Sequence, residues 1–175
     1  MKPRDFFTTL QRKVAVAAVG PSALRGQGKG VLHAAQDFLA GLSLGRIPKS
    51  DSRRFEAWLD RQTERLLDAL SLKSRPWGAA RKAINLFLRD TLYNRYLCNH
   101  FRLSAIESWL EVPLDSAVAT GLKRDGQRAE LPPWPGLKRL TKPVSDRFQV
   151  FARGLAKRKG LERVHLDMYL WLENR

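Results

Sequence analysis

Apolar residues recur along this chain at intervals of three and four, and no stretch alternates apolar with polar residues convincingly enough to read as a strand. That periodicity restricts the chain to an all-α fold. Residues 4–18 carry Phe6, Phe7, Leu10, Val14, Ala17 and Ala18 at helical spacing, and Gly20-Pro21 stops them. Val31 to Leu42 reads as a short helix. The turn Pro48-Lys49-Ser50-Asp51-Ser52 leads into a helix with Phe55, Trp58, Leu59, Leu66, Leu67 and Leu70 on its apolar faces. A central helix starts near Pro76 and buries a stripe from Trp77 to Leu92. Shorter helices are expected around Leu103–Leu110 and from Asp115 or Ser116 through Leu122. A longer one from Pro143 is capped by Gly160, and a last one covers His165–Trp171.

At 175 residues the pattern suits a single helical domain over 1–175. Two small lobes, about 1–75 and 76–175 with an active site between them, are the alternative arrangement. Two segments interrupt the helices. Residues 20–30, GPSALRGQGKG, read as a connector, or as a loop approaching a ligand with Arg25 and Gln27 as polar contacts. They are not a Walker loop, since no Gly-Lys-Ser/Thr follows at the required spacing. Leu131-Pro132-Pro133-Trp134-Pro135-Gly136 is forced into an extended loop that holds Trp134 on a stiff segment.

Charge narrows the function. The net charge is +15, and residues 123–163 alone hold twelve Lys or Arg against four acids. A surplus of that size calls for a polyanionic partner rather than a neutral substrate. The single Cys98 excludes a disulfide framework and fits a reducing compartment. The apolar run Val14–Val19 is too short for a membrane span or a secretory core, so a cytoplasmic, nucleoid-associated monomer is expected. The three His and one Cys have no ligand spacing, so neither metal nor cofactor is expected.

Within the central helix, Lys82, Asn85 and Arg89 fall on one side, three and seven residues apart. Taken singly, Lys82 is a solvated helix lysine, Asp115 a helix N-cap and Asp167 a first-turn acid favoured by the helix dipole. Trp171 is either a core residue against Phe148 or Phe151 or a stacking face.

Taken together, the residues resemble a known family. Gly78-Ala79-Ala80-Arg81-Lys82, followed by Ala83 to Arg89, is similar to the hairpin and helix of helix–hairpin–helix DNA glycosylases with lyase activity. Pro113-Leu114-Asp115-Ser116 resembles the element carrying that superfamily's catalytic Asp. The gap from Lys82 to Asp115 and the ending Leu166-Asp167-Met168-Tyr169-Leu170-Trp171 look most like archaeal-type 8-oxoguanine DNA glycosylases. The likeness spans residues 76–175. It implies excision of an oxidised purine, 8-oxoguanine, from duplex DNA after the base is flipped out. Lys82 is then the nucleophile and Asp115 the group that stabilises the cationic sugar or shuttles protons. A lysine attacks only as the neutral amine, and Arg81 and Arg89 are the cations expected to favour that form. Asp167, Trp171, Gln27 and Trp77 are implied as the base pocket. Gly78, Arg81, Arg89, Lys123, Arg124, Lys138 and Arg139 are expected on the DNA backbone. Ala80 stands where such hairpins usually carry a second Gly, so its methyl is expected to crowd the N–H groups that grip a phosphate. That feature favours the alternative of a non-catalytic DNA-binding protein on the same scaffold, serving phage defence or a repair complex. A helical module that binds an acidic protein is the third reading.

Overall fold

The computed structural model describes residues 3–21, 23–24, 30–70, 75–125 and 131–173, and the regular structure among them is helical, with no strand. Eight α-helices follow in order: α1 (Pro3–Ala18), α2 (Val31–Ala40), α3 (Ser52–Leu70), α4 (Trp77–Tyr93), α5 (Arg95–Phe101), α6 (Ser116–Asp125), α7 (Lys142–Arg158) and α8 (Leu166–Glu173). Short 3-10 segments cover Leu44–Arg46, Leu103–Trp109 and Arg163–His165. Among the described residues no helix is long and apolar enough to cross a membrane.

The all-α expectation holds, and the helix ends follow local chemistry. Asp51 accepts the Arg54 N–H at 2.8 Å and so caps α3. Asn94 closes α4 through its main chain and opens α5 by accepting the Leu97 N–H at 3.1 Å. The sequence pattern passes over α5, because seven residues give too little periodicity to recognise. Gly160 ends α7 with φ +68°, and Leu161 N–H reaches back to the Ala156 carbonyl at 2.9 Å.

Two hydrophobic clusters share the interior. One gathers α1 to α5 and the chain to Leu110, with Val164 added; the other runs from Val112 to Leu170. Helix α4 buries its apolar residues in the first cluster. Trp77 packs against both. The chain passes from one cluster to the other at Glu111, which lies between Leu110 and Val112.

Glu111 is fully engaged there. Arg81 grips its carboxylate with two N–H groups, each at 2.8 Å, and Asn85 Nδ2 donates to Oε2 at 2.9 Å. The remaining Arg81 nitrogen donates to Asp60 at 2.9 Å and to Thr63 at 3.0 Å, both on α3. Burial alone would raise the Glu111 pKa, yet Arg81, Arg163 and Asn85 outweigh it and hold the carboxyl below the ordinary glutamate range. Nearby, Arg163 points its guanidinium at main-chain oxygens, Leu110 at 3.1 Å and Trp109 at 2.9 Å. Burial, together with the charges of Arg153 and Arg81, lowers its pKa to about 10 despite Glu111. Gln149 of α7 makes a two-way bond with the Val112 main chain, at 3.1 and 2.8 Å. The 109–112 segment is thus tied to α3, α4 and α7 by buried polar groups.

Removing one partner of a buried pair leaves the other charge uncompensated, which costs about 3–5 kcal/mol. Glu111→Ala is therefore expected to destabilise the protein by that amount in denaturant titrations, and an Arg81→Met/Glu111→Leu double variant by much less. Because the folded pKa of Glu111 is depressed, its stabilising contribution is complete above the unfolded glutamate value. It is lost as pH falls through the folded value. Thermal melts should therefore show wild type losing stability on acidification more steeply than the double variant does.

Candidate functional site

Residues 111–115 belong to no helix; two consecutive side chains of α4 hold them in place. Arg81 takes Glu111, and Lys82 takes Asp115, with Lys82 Nζ 3.1 Å from Asp115 Oδ2. The other oxygen of Asp115 accepts the Val118 N–H at 2.9 Å, so the same carboxylate caps α6. Its two readings, helix cap and acidic partner of Lys82, are both realised, one on each oxygen. The Lys82 side chain is 9% exposed and that of Asp115 32%, which makes the pair buried on the lysine side and open on the aspartate side.

Two cavities meet at Asp115. One, of about 670 Å³, is lined by Lys82, Asp115, Ser116, Trp134, Lys138 and Arg139 among others. The stiff 132–137 loop forms its far wall, and Trp134 is fixed edge-on to Phe148 with centroids 5.5 Å apart. Lys138 and Arg139 are exposed at its rim. The second cavity, of about 240 Å³, is mainly apolar and is lined by Asp115, Val118, Met168 and Leu170, with Arg89, Asp167 and Trp171 at its polar and aromatic parts. Helix α8 comes this close to α6 because Gly121 has no side chain: a Cβ there would lie 3.1 Å from Leu170. Lys82 and Asp115 therefore face one cavity, and Asp115, Asp167 and Trp171 the next. Trp171 is nearly half exposed and lines the second cavity, while Phe148 pairs with Trp134.

Several expectations need correction. Gly78 is the second residue of α4 rather than part of a hairpin. A Cβ on it would sit 2.6 Å from both the Leu137 carbonyl and Leu140 Cβ, so its role is close packing of α4 on the 137–140 turn, and it is buried from any phosphate. Ala80 is likewise fully buried, in the first cluster, and so is out of reach of a phosphate. Arg81 is 2% exposed and committed to Glu111 and Asp60, so it is not available for the DNA-backbone contact expected of it. Arg89 is also taken: it pairs with Asp90 at 2.7 Å and with Asp167 across the chain. Burial opposes its charge, but Asp167 and Asp90 raise its pKa overall. Asp167 is correspondingly occupied, one oxygen by Arg89 and the other by the Met168 N–H at 2.8 Å, so it is not a vacant acceptor for a base edge. Burial moves its carboxyl above the ordinary aspartate range, with Arg89 pulling the other way. The two cations expected to act on Lys82 are thus each matched by carboxylates. Trp77 is absent from both cavity linings and lies against the Arg81 guanidinium, 5.3 Å from its ring centroid. Gln27 and Arg25 lie outside the described residues. Lys123 is partly buried and Arg124 exposed near the end of α6.

The Arg89–Asp167 pair, the buried Glu111 and the cavity-lining Leu137 are not singled out by the sequence pattern. For Glu111 a signal existed: a lone acid inside the apolar run Leu110-Glu111-Val112 is buried, and a buried acid needs a cation. Nothing local announces the partner of Arg89. Among the described residues no group of three His, Cys, Asp or Glu is placed to hold a metal.

The double role of Asp115 separates structure from chemistry. Both Asp115→Ala and Asp115→Asn take the charge away from the buried Lys82 ammonium, but Asn keeps an acceptor for Val118, so Ala is expected to be the less stable of the two by about 1 kcal/mol, the value of the cap. Chemical denaturation of the two variants measures the difference. Compared with known proteins, the chain matches no family model, no curated protein and no solved structure.

Proposed function

We propose that this chain is a DNA base-excision glycosylase with lyase activity, acting on an oxidised purine such as 8-oxoguanine. The observation that carries this reading is the Lys82–Asp115 pair, seated where a cationic, tryptophan-walled cavity meets an apolar one ending in Trp171. An amine beside a carboxylate at the junction of two cavities suits displacement at a sugar carbon. Lys82, having lost its proton to solvent, attacks C1′ as the glycosidic bond breaks and the base leaves with the bonding pair. Asp115 stabilises the positive charge that builds on the sugar. Loss of a proton from nitrogen and ring opening then give a Schiff base between Lys82 and C1′. Removal of a C2′ proton from that Schiff base expels the 3′-phosphate and cuts the strand.

The flipped base would occupy the apolar cavity against Trp171, and the sugar–phosphate would lie along Lys138 and Arg139. The choice of lesion rests on the sequence resemblance of the Lys82-to-Asp115 spacing and of the Leu166–Trp171 ending to 8-oxoguanine glycosylases. The second reading, a DNA-binding protein without catalysis, is favoured by one observation. Lys82 is one of four polar α4 residues that fasten the two halves together, a role that asks for no chemistry.

A panel of duplexes, each with one damaged base, distinguishes them. Wild type should release the base and nick the strand at an oxidised purine, with Lys82→Gln slower by about a thousandfold or more and duplex affinity retained. Undiminished base release in Lys82→Gln would remove the lysine assignment, and absence of release from every lesion would leave the binding protein. Phosphate contacts are tested separately. Replacing Lys138 and Arg139 together with Gln should lower the slope of log affinity against log salt by about 2.

A further inference from the structure

Away from the Lys82 cavities, the outer face of α7 carries an apolar ridge with a cationic border. Val150 is 71% exposed, Phe151 is half-buried beside it, and Gly154 leaves a notch where a Cβ would meet only Arg158 Nη1, at 3.7 Å. A depression of about 520 Å³ runs over this face between Arg147 and Arg158. Through Asp146 and Val150, which line both, it continues into a cavity of about 350 Å³. Phe55, Leu59 and Trp109 make its apolar part, with Arg153, Arg163 and the carboxylates of Glu56, Glu111 and Asp146 also in its lining. Neither depression shares a residue with the two cavities that meet at Asp115.

The acids of this surface are already matched. Lys142 holds Glu56 at 3.1 Å and Asp146 at 3.3 Å, and Arg81 holds Glu111. Arg147, Arg153 and Arg158 are exposed and have no carboxylate within ion-pair distance among the described residues. A solvent-facing valine framed by three such arginines and leading to an aromatic-lined cavity is a recognition surface with two demands. Its partner must bring negative charge and an apolar side chain at once. A DNA backbone meets the first demand and gains nothing from Val150, Phe151 or the Trp109 cavity.

We propose that this face of α7 docks an acidic polypeptide segment of a partner protein, one apolar side chain entering the Phe55–Trp109 cavity and flanking Asp or Glu residues meeting Arg147, Arg153 and Arg158. Recognition of this kind uses an apolar anchor for affinity and charge for orientation.

The test is selection from a displayed library of short random peptides against the full chain, with Val150→Asp and Lys13→Ser proteins as counter-targets. Both substitutions lower the net charge by one at an exposed position, so only the first touches the proposed surface. Wild type and Lys13→Ser should enrich the same peptides, acidic with one or two large apolar residues. A selected peptide, synthesised and labelled, should bind Val150→Asp at least about tenfold more weakly by fluorescence anisotropy. Replacing its apolar residues with Ser should cost a similar factor, and undamaged duplex DNA should not displace it. Equal enrichment on all three proteins, no enrichment at all, or displacement by DNA would each overturn the proposal, the last by making this face a nucleic-acid surface.

Discussion

The Arg81–Glu111 pair is the contact on which the rest of the molecule depends. It lies where the chain crosses from one hydrophobic cluster to the other, and both its charges are sealed from water. Such a pair is costly to bury and costlier to break, so it fixes register more than it adds net stability. Once Glu111 is held, Asp115 four residues later is brought to Lys82, the next residue of α4. Helix α6 then begins from Asp115, and α8 settles on α6 at Gly121. The position of the candidate site thus follows from one structural ion pair one residue away from it.

The polar side of α4 consequently has a double character. Arg81, Lys82, Asn85 and Arg89 all reach acids of the C-terminal half, and in that sense each is a fastener. What distinguishes Lys82 is its surroundings. Arg81 is enclosed, Asn85 is buried against Glu111, and Arg89 is shared between two aspartates. Lys82 has one carboxylate partner, and that carboxylate is a third exposed and opens on two cavities. An amine held by a single, accessible acid is the arrangement a substrate can enter with least disruption.

Much of this fold is legible in the sequence because helical periodicity is a local property. The stripes on residues 4–18, 55–70 and 77–92 read directly as α1, α3 and α4. The candidate pair is legible too, since Lys82 and Asp115 stand out by context, one on a helix and one after Val112-Pro113-Leu114. Arg81 and Arg89 are misread because Lys and Arg are mostly solvated, so a basic residue is assigned to the surface until its partner is known. Asp167 lies 78 positions from Arg89, and no local pattern links them. Gly78 is misread for a related reason: a small residue serves equally for approach to a phosphate or to a packed neighbour, and only Leu137 and Leu140 on the adjoining turn decide which.

Reductive trapping followed by peptide mapping tests the central claim most directly. Incubated with borohydride and a duplex bearing one oxidised purine, the protein should be captured as a covalent adduct with DNA. Mass spectrometry of its proteolytic fragments should place the sugar remnant on Lys82. An adduct mapped to any other amine, or no adduct with a duplex that the protein demonstrably binds, would contradict the account.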